Sequence, residues 1–181
     1  MQSDDKLEVF RREFLRANTW AQRKEGVPLD LLHKLSEEEL KIAEAELINS
    51  INAGDSWPIL GVAHLKSTAA LPKLYDLLDK SSKPIRVTAA FAIFQICRDG
   101  RMIDVVLKEL PYITNQYELI SILHLLPAFK DQRVTTILKD YMERDEYLVA
   151  YNAAMALGLS TDGVVRKFSK KEKGFWRKIF S

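Results

Sequence analysis

At 181 residues the chain is long enough to bury a core as one domain. Its 47% hydrophobic and 29% charged residues exclude a disordered chain, and 7 glycines and 6 prolines are few for an all-β protein that turns about every 8–12 residues. A single cysteine, Cys97, excludes an internal disulfide and a cysteine-based metal cluster. The acidic start MQSDDKLEVF is unlike a secretory signal, and no apolar run approaches the roughly 18 residues of a membrane span. The expectation is a soluble, cytoplasmic protein.

The N-terminal third predicts two helices. Residues 4–22 place Leu7, Phe10, Phe14, Ala17 and Ala21 on one stripe, and Gly26-Val27-Pro28 ends it. A second helix follows Ser36, where Ser36 and Glu39 have capping-box spacing, with Leu40, Ala43, Leu47 and Ile51 inward. The segment Asn52–Asp55 stops it.

From Trp57 the chain repeats itself. VTAAFAIFQI (87–96) lies on YNAAMALGLS (151–160) without a gap, matching Ala89, Ala90 and Ala92 with Ala153, Ala154 and Ala156. GVAHLKSTAALPKLYDLL (61–78) lies in the same way on LLPAFKDQRVTTILKDYM (125–142). Gly61, Ala92, Leu125 and Ala156 become equivalent, at steps of 31, 33 and 31 residues. Each unit predicts two helices. The first is apolar on most sides, as in Val87, Ala90, Phe91, Ile93, Phe94 and Ile96. The second is amphipathic, as in Leu71, Leu74, Leu77 and Leu78, with counterparts near 102–110 and 134–142. Pro84 suits a first helical turn, and Asp99-Gly100 and Asp131 sit where the chain must reverse. The stretch NAAMALGLSTDG (152–163) is then a helix end and a corner, not a phosphate-binding loop, and the last unit looks truncated after Gly163.

Those residues carry a resemblance. GVAHLKSTAALPKLYDLL, FKDQRV and NAAMALG resemble short bacterial HEAT-like repeats of the type also found in phycobilin-lyase subunits, over about 57–163. Gly61 and Leu125 depart from the pattern, which has alanine there. The resemblance implies an all-α fold, a right-handed α-α superhelix (a HEAT-like solenoid) with helical caps. The expected layout is one domain over 1–181, with a cap over 1–55, repeats over 56–163 and a basic aromatic tail over 164–181.

Few residues point to chemistry. His33, His64 and His124 have no second ligand at metal spacing and read as partly buried packing residues, although His64 and His124 end equivalent helices. Cys97 precedes Arg98, which could lower a thiol pKa, but no histidine adjoins it and it reads as small core filler. HEAT-like di-iron hydroxylases use His-Glu pairs, and this chain has no His-Glu dipeptide. No catalytic, cofactor-binding or metal residue is assigned, and the expectation is a non-enzyme without a cofactor.

The charge distribution bears on partners. From Arg166 on there are seven basic residues against one acidic, a net +6, which leaves residues 1–165 at −4. The second helices, which line the concave face in such repeats, mix signs: Lys73 and Asp76, Asp104 and Lys108, Lys139 and Asp140. Nucleic acid would favour a sustained basic stripe, so a DNA- or RNA-binding role like that of HEAT-like glycosylases is disfavoured. The tail puts Phe175, Trp176, Ile179 and Phe180 on one helical face beside Arg177 and Lys178. It suits a C-terminal cap, a peripheral contact with an anionic membrane, or a partner. The function expected is protein binding through those six charged residues, most concretely as an immunity protein that covers a toxin domain. The alternative is a structural adaptor or assembly subunit that uses its tail.

Overall fold

The first helix forms where Asp5 accepts the N–H of Leu7, and a computed structural model describes the chain from there, over residues 5–169. The helices are α1 (Lys6–Phe10), α2 (Trp20–Arg23), α3 (Glu37–Ser50), α4 (Trp57–Leu65), α5 (Leu71–Lys80), α6 (Lys83–Cys97), α7 (Arg101–Glu109), α8 (Gln116–Leu123), α9 (Gln132–Met142) and α10 (Tyr147–Ala156). Residues 162–169 are also helical. The fold is all-α. Among the described residues there is no β-strand, only an isolated bridge between Asn52 and Asp55, and no helix is long and apolar enough to cross a membrane. These residues form two compact units, divided between Met102 and Ile103.

In the first unit the stripe expected over 4–22 is not one helix. A wide π-type turn over Arg11–Leu15 continues α1, and the chain then opens at Arg16–Thr19. Thr19 is extended and makes a capping box with Gln22 that starts α2. A local side-chain bond to free helical N–H groups outweighs continuation of the stripe. Phe10, Phe14 and Ala17 are buried as expected, whereas Ala21 lies beyond the break and is exposed. The Ser36–Glu39 capping box forms as expected and opens α3, which buries Ala43 and Leu47.

The aromatic core joins this segment to α4. Phe10 and Phe14 stand 5.3 Å apart, and Trp57 meets Phe14 edge-on at 5.8 Å. Arg23 stacks its guanidinium 4.3 Å from the centre of the Trp57 ring and pairs with Asp55 at 2.6 Å. Farther along, α6 packs on α4 and on α5. Ala89, Ala90 and Ala92 are fully buried on α6, and their small side chains let neighbouring helices approach closely. Pro84 sits in the first turn of α6, where its missing N–H costs nothing.

In the second unit α10 packs on α8 and α9. Ala153 and Ala154 are fully buried there, like their counterparts Ala89 and Ala90 on α6, whereas Ala156, the counterpart of buried Ala92, is only half-buried. Gly158, at φ 68°, ends the helix. The last unit is not cut short at Gly163: residues 162–169 form a further helix, with Val164 in a cluster with Ala150 and Ala154 and Phe168 packed against it. Its apolar residues are spaced too sparsely in sequence to show the helix unaided.

The corners repeat more regularly than the helices. Lys66, Arg98 and Lys130, each thirty-two residues from the next, are left-handed at φ 53°, 59° and 52°. A side chain in that region costs about 1–2 kcal/mol and glycine is usual there. After two of these corners an aspartate takes the N–H of the arginine two residues on, Asp99 from Arg101 and Asp131 from Arg133. The same turn is thus built twice from the same residue types.

Candidate functional site

All six charged residues expected to bind a partner are exposed, while the opposite face of each helix is buried. On α5, Leu74 and Leu77 point inward and Lys73 and Asp76 outward. On α7, Val106 is fully buried beside exposed Asp104 and Lys108. On α9, Val134, Leu138 and Tyr141 are buried and Lys139 and Asp140 are exposed. Periodicity places these side chains because hydrophobic burial fixes the rotation of each helix.

Their local engagements differ. Lys73 donates to the carbonyl of Ile48 at 2.8 Å, and Asp76 pairs with Lys80 one turn on. Lys73 and Asp76 also line an open groove of about 450 Å³ with Ile51, Pro72 and Leu77. In the second unit Asp104 of α7 meets Arg133 of α9 at 2.8 Å, and Arg133 also holds Asp131 at 3.1 Å. Asp104 and Arg133 are exposed and Asp131 is half-buried, so screening by solvent leaves these pairs to orient side chains more than to hold the fold. Lys108, Lys139 and Asp140 have no ion pair among the described residues. Tyr141 ties α9 inward instead: its buried hydroxyl donates to the Leu110 carbonyl at 3.2 Å, and burial raises its pKa.

A polar knot at the end of α6 escaped the sequence reading. Tyr75 donates its hydroxyl to Asp99 at 2.9 Å, and the Arg101 guanidinium grips the same carboxylate at 2.6–3.1 Å. Arg101 thereby holds the Asp99 carboxyl well below the usual range, and the Asp99 carboxylate raises the pKa of Arg101 in return. Burial, then the bond to Asp99, pushes the Tyr75 phenol up to about 12. Through the shared Asp99 carboxylate the knot braces α5 against the turn that follows α6. The recurring Asp-x-Arg at 99–101 and 131–133 was its one visible signal.

Cys97 borders this knot and is exposed, which corrects its expected role as core filler. It is the last residue of α6, just before the left-handed Arg98, and the helix end faces solvent. Its thiol donates to the Ile93 carbonyl at 3.3 Å.

The histidines are likewise exposed, not packed into the core. His124 Nε2 donates to Asn152 Oδ1 at 2.9 Å, joining α8 to α10. His64, on the last turn of α4, meets His33 of the 3-10 helix Leu29–Lys34, with their Nε2 atoms 2.9 Å apart. This contact spans thirty-one residues and leaves no local trace in sequence. Partial desolvation of its otherwise exposed ring, and then the neighbouring His33, lowers the His64 pKa below its ordinary 6.5.

That shift has a pH signature. The folded state keeps His64 neutral where the unfolded chain takes up a proton, so stability present above pH 6.5 is lost as pH falls through the lower folded value. The urea midpoint of the native chain is therefore expected to drop between about pH 7.5 and pH 5 by more than that of His64→Gln. Equal drops in the two proteins would contradict this assignment.

Among the described residues no group of three or more His, Cys, Asp or Glu side chains is placed to hold a metal. The tail residues Phe175, Trp176, Arg177, Lys178, Ile179 and Phe180 lie outside the described residues. Comparison with protein-family models, curated proteins and solved structures finds no match to this chain.

Proposed function

We propose that the chain is a HEAT-like α-α superhelix whose second helices form a non-catalytic protein-binding surface on its concave side. The observation that carries this reading is the division of α5, α7 and α9 into a buried apolar face and an exposed face of mixed charge. Surfaces of this kind select a partner by charge complementarity, which governs encounter rate and register more than bulk affinity. The partner is a protein domain with an interspersed charge pattern of opposite order. In the most concrete form it is a toxin whose active site is covered, and the net −4 of residues 1–165 favours a basic one.

Reversing the six charges together (Lys73→Glu, Asp76→Lys, Asp104→Lys, Lys108→Glu, Lys139→Glu and Asp140→Lys) tests this. Binding to a protein recovered with the native chain is expected to weaken by about tenfold or more, as rim charges change on-rates and register.

A further inference from the structure

We propose that His33 and His64 form a surface chelate for a divalent transition-metal ion such as Zn²⁺. The two imidazoles come from separate elements, yet their Nε2 atoms stand 2.9 Å apart, with ring centroids at 4.7 Å and planes 78° apart. Two nitrogens bound to one tetrahedral ion at about 2.0–2.1 Å lie roughly 3.3 Å from each other. The pair needs to open by about 0.4 Å to admit the ion, a small side-chain rotation for two exposed rings.

Ligand chemistry selects the ion class. Neutral imidazole suits Zn²⁺, Cu²⁺ and Ni²⁺, whereas Mg²⁺ and Ca²⁺ take oxygen ligands. Ligation requires a bare nitrogen on each ring. Without an ion, one ring must donate its Nε2 proton to the other; with one, the donating ring exchanges with solvent to its Nδ1–H tautomer, so that both rings stay neutral and turn their Nε2 lone pairs to the metal. Among the described residues no further His, Cys, Asp or Glu joins them in a group of three, so water completes the coordination. The ion clips the segment Leu29–Lys34 to the end of α4, and it stabilises the fold by binding the native state alone.

Calorimetric titration of the full chain with ZnCl2 near neutral pH tests this. The native chain is expected to bind one ion and to gain thermal stability with ZnCl2 but not with MgCl2. His33→Ala and His64→Ala are each expected to weaken binding by about tenfold or more, since either leaves a single protein ligand. His124→Ala and Cys97→Ser, which alter other potential ligands, are expected to bind as the native chain does. Absence of Zn²⁺ binding by the native chain, or native affinity in either His33→Ala or His64→Ala, overturns the proposal. Circular dichroism separates loss of the site from loss of the fold, and the exposed positions of both rings make the former the expected outcome.

Discussion

Phe14→Ala is expected to lower unfolding free energy by about 3–5 kcal/mol, the range for truncating a buried aromatic ring. Phe14 is 1% exposed and lies between Phe10 and Trp57, at centroid distances of 5.3 Å and 5.8 Å. Truncation removes both aromatic contacts and leaves a cavity whose walls belong to different elements. Those walls collapse only partly, because Trp57 is held from its other side by Arg23, which is itself fixed to Asp55. Single domains have about 5–15 kcal/mol to lose, so the substitution removes a large share of the total. Urea unfolding followed by helical circular dichroism measures it, and a loss below about 1 kcal/mol would contradict the packing described.

Gly61→Val is the second large effect, expected to cost about 2–3 kcal/mol through overpacking. A Cβ at Gly61 would stand 2.8 Å and 3.0 Å from the two Leu47 methyl carbons and 3.1 Å from Phe14 Cζ. A single methyl requires only a small swing of the flexible Leu47 tip. Alanine also recovers up to about 1 kcal/mol of helix propensity, so Gly61→Ala is expected near neutrality. Valine adds two γ carbons to the same crowded contact, between the fully buried Leu47 and Phe14. Equal unfolding midpoints for Gly61→Ala and Gly61→Val would show that this contact is looser than described.

Gly61 also shows how far the sequence could be read. The repeat alignment marked it as a departure from an expected alanine, but the crowding around it comes from Leu47 and Phe14, residues outside the repeat. Helix phase within α5, α7 and α9 was legible because burial of one face leaves a local periodic trace. So were the Ser36 capping box and the Pro84 helix start, which depend on residues within one turn. The break at Arg16–Thr19 was hidden because the apolar stripe runs through it, while the Thr19–Gln22 bond decides the backbone. The helix 162–169 was hidden for the opposite reason, since its inward residues are too few to make a pattern. His33 meeting His64, and Tyr75 meeting Asp99, are long-range pairings that only the packing of helices creates.

The candidate surface was legible for the same local reason as the helices: a residue on the polar side of a buried helix must face solvent. What such a face binds is set by the spatial arrangement of its charges, and no short motif encodes it. Lys73 and Asp104 already have partners within the chain, so they present oriented groups, while Lys108, Lys139 and Asp140 have no ion pair among the described residues. Ordering the partnered side chains in advance lowers the entropy lost on association.

The most direct test of a binding role for the second helices is the dissociation constant of a co-purified protein partner for the six-site reversal, measured beside the thermal midpoint. A dissociation constant raised by about tenfold or more at an unchanged midpoint is the predicted result. An unchanged dissociation constant in a fully folded variant would contradict it.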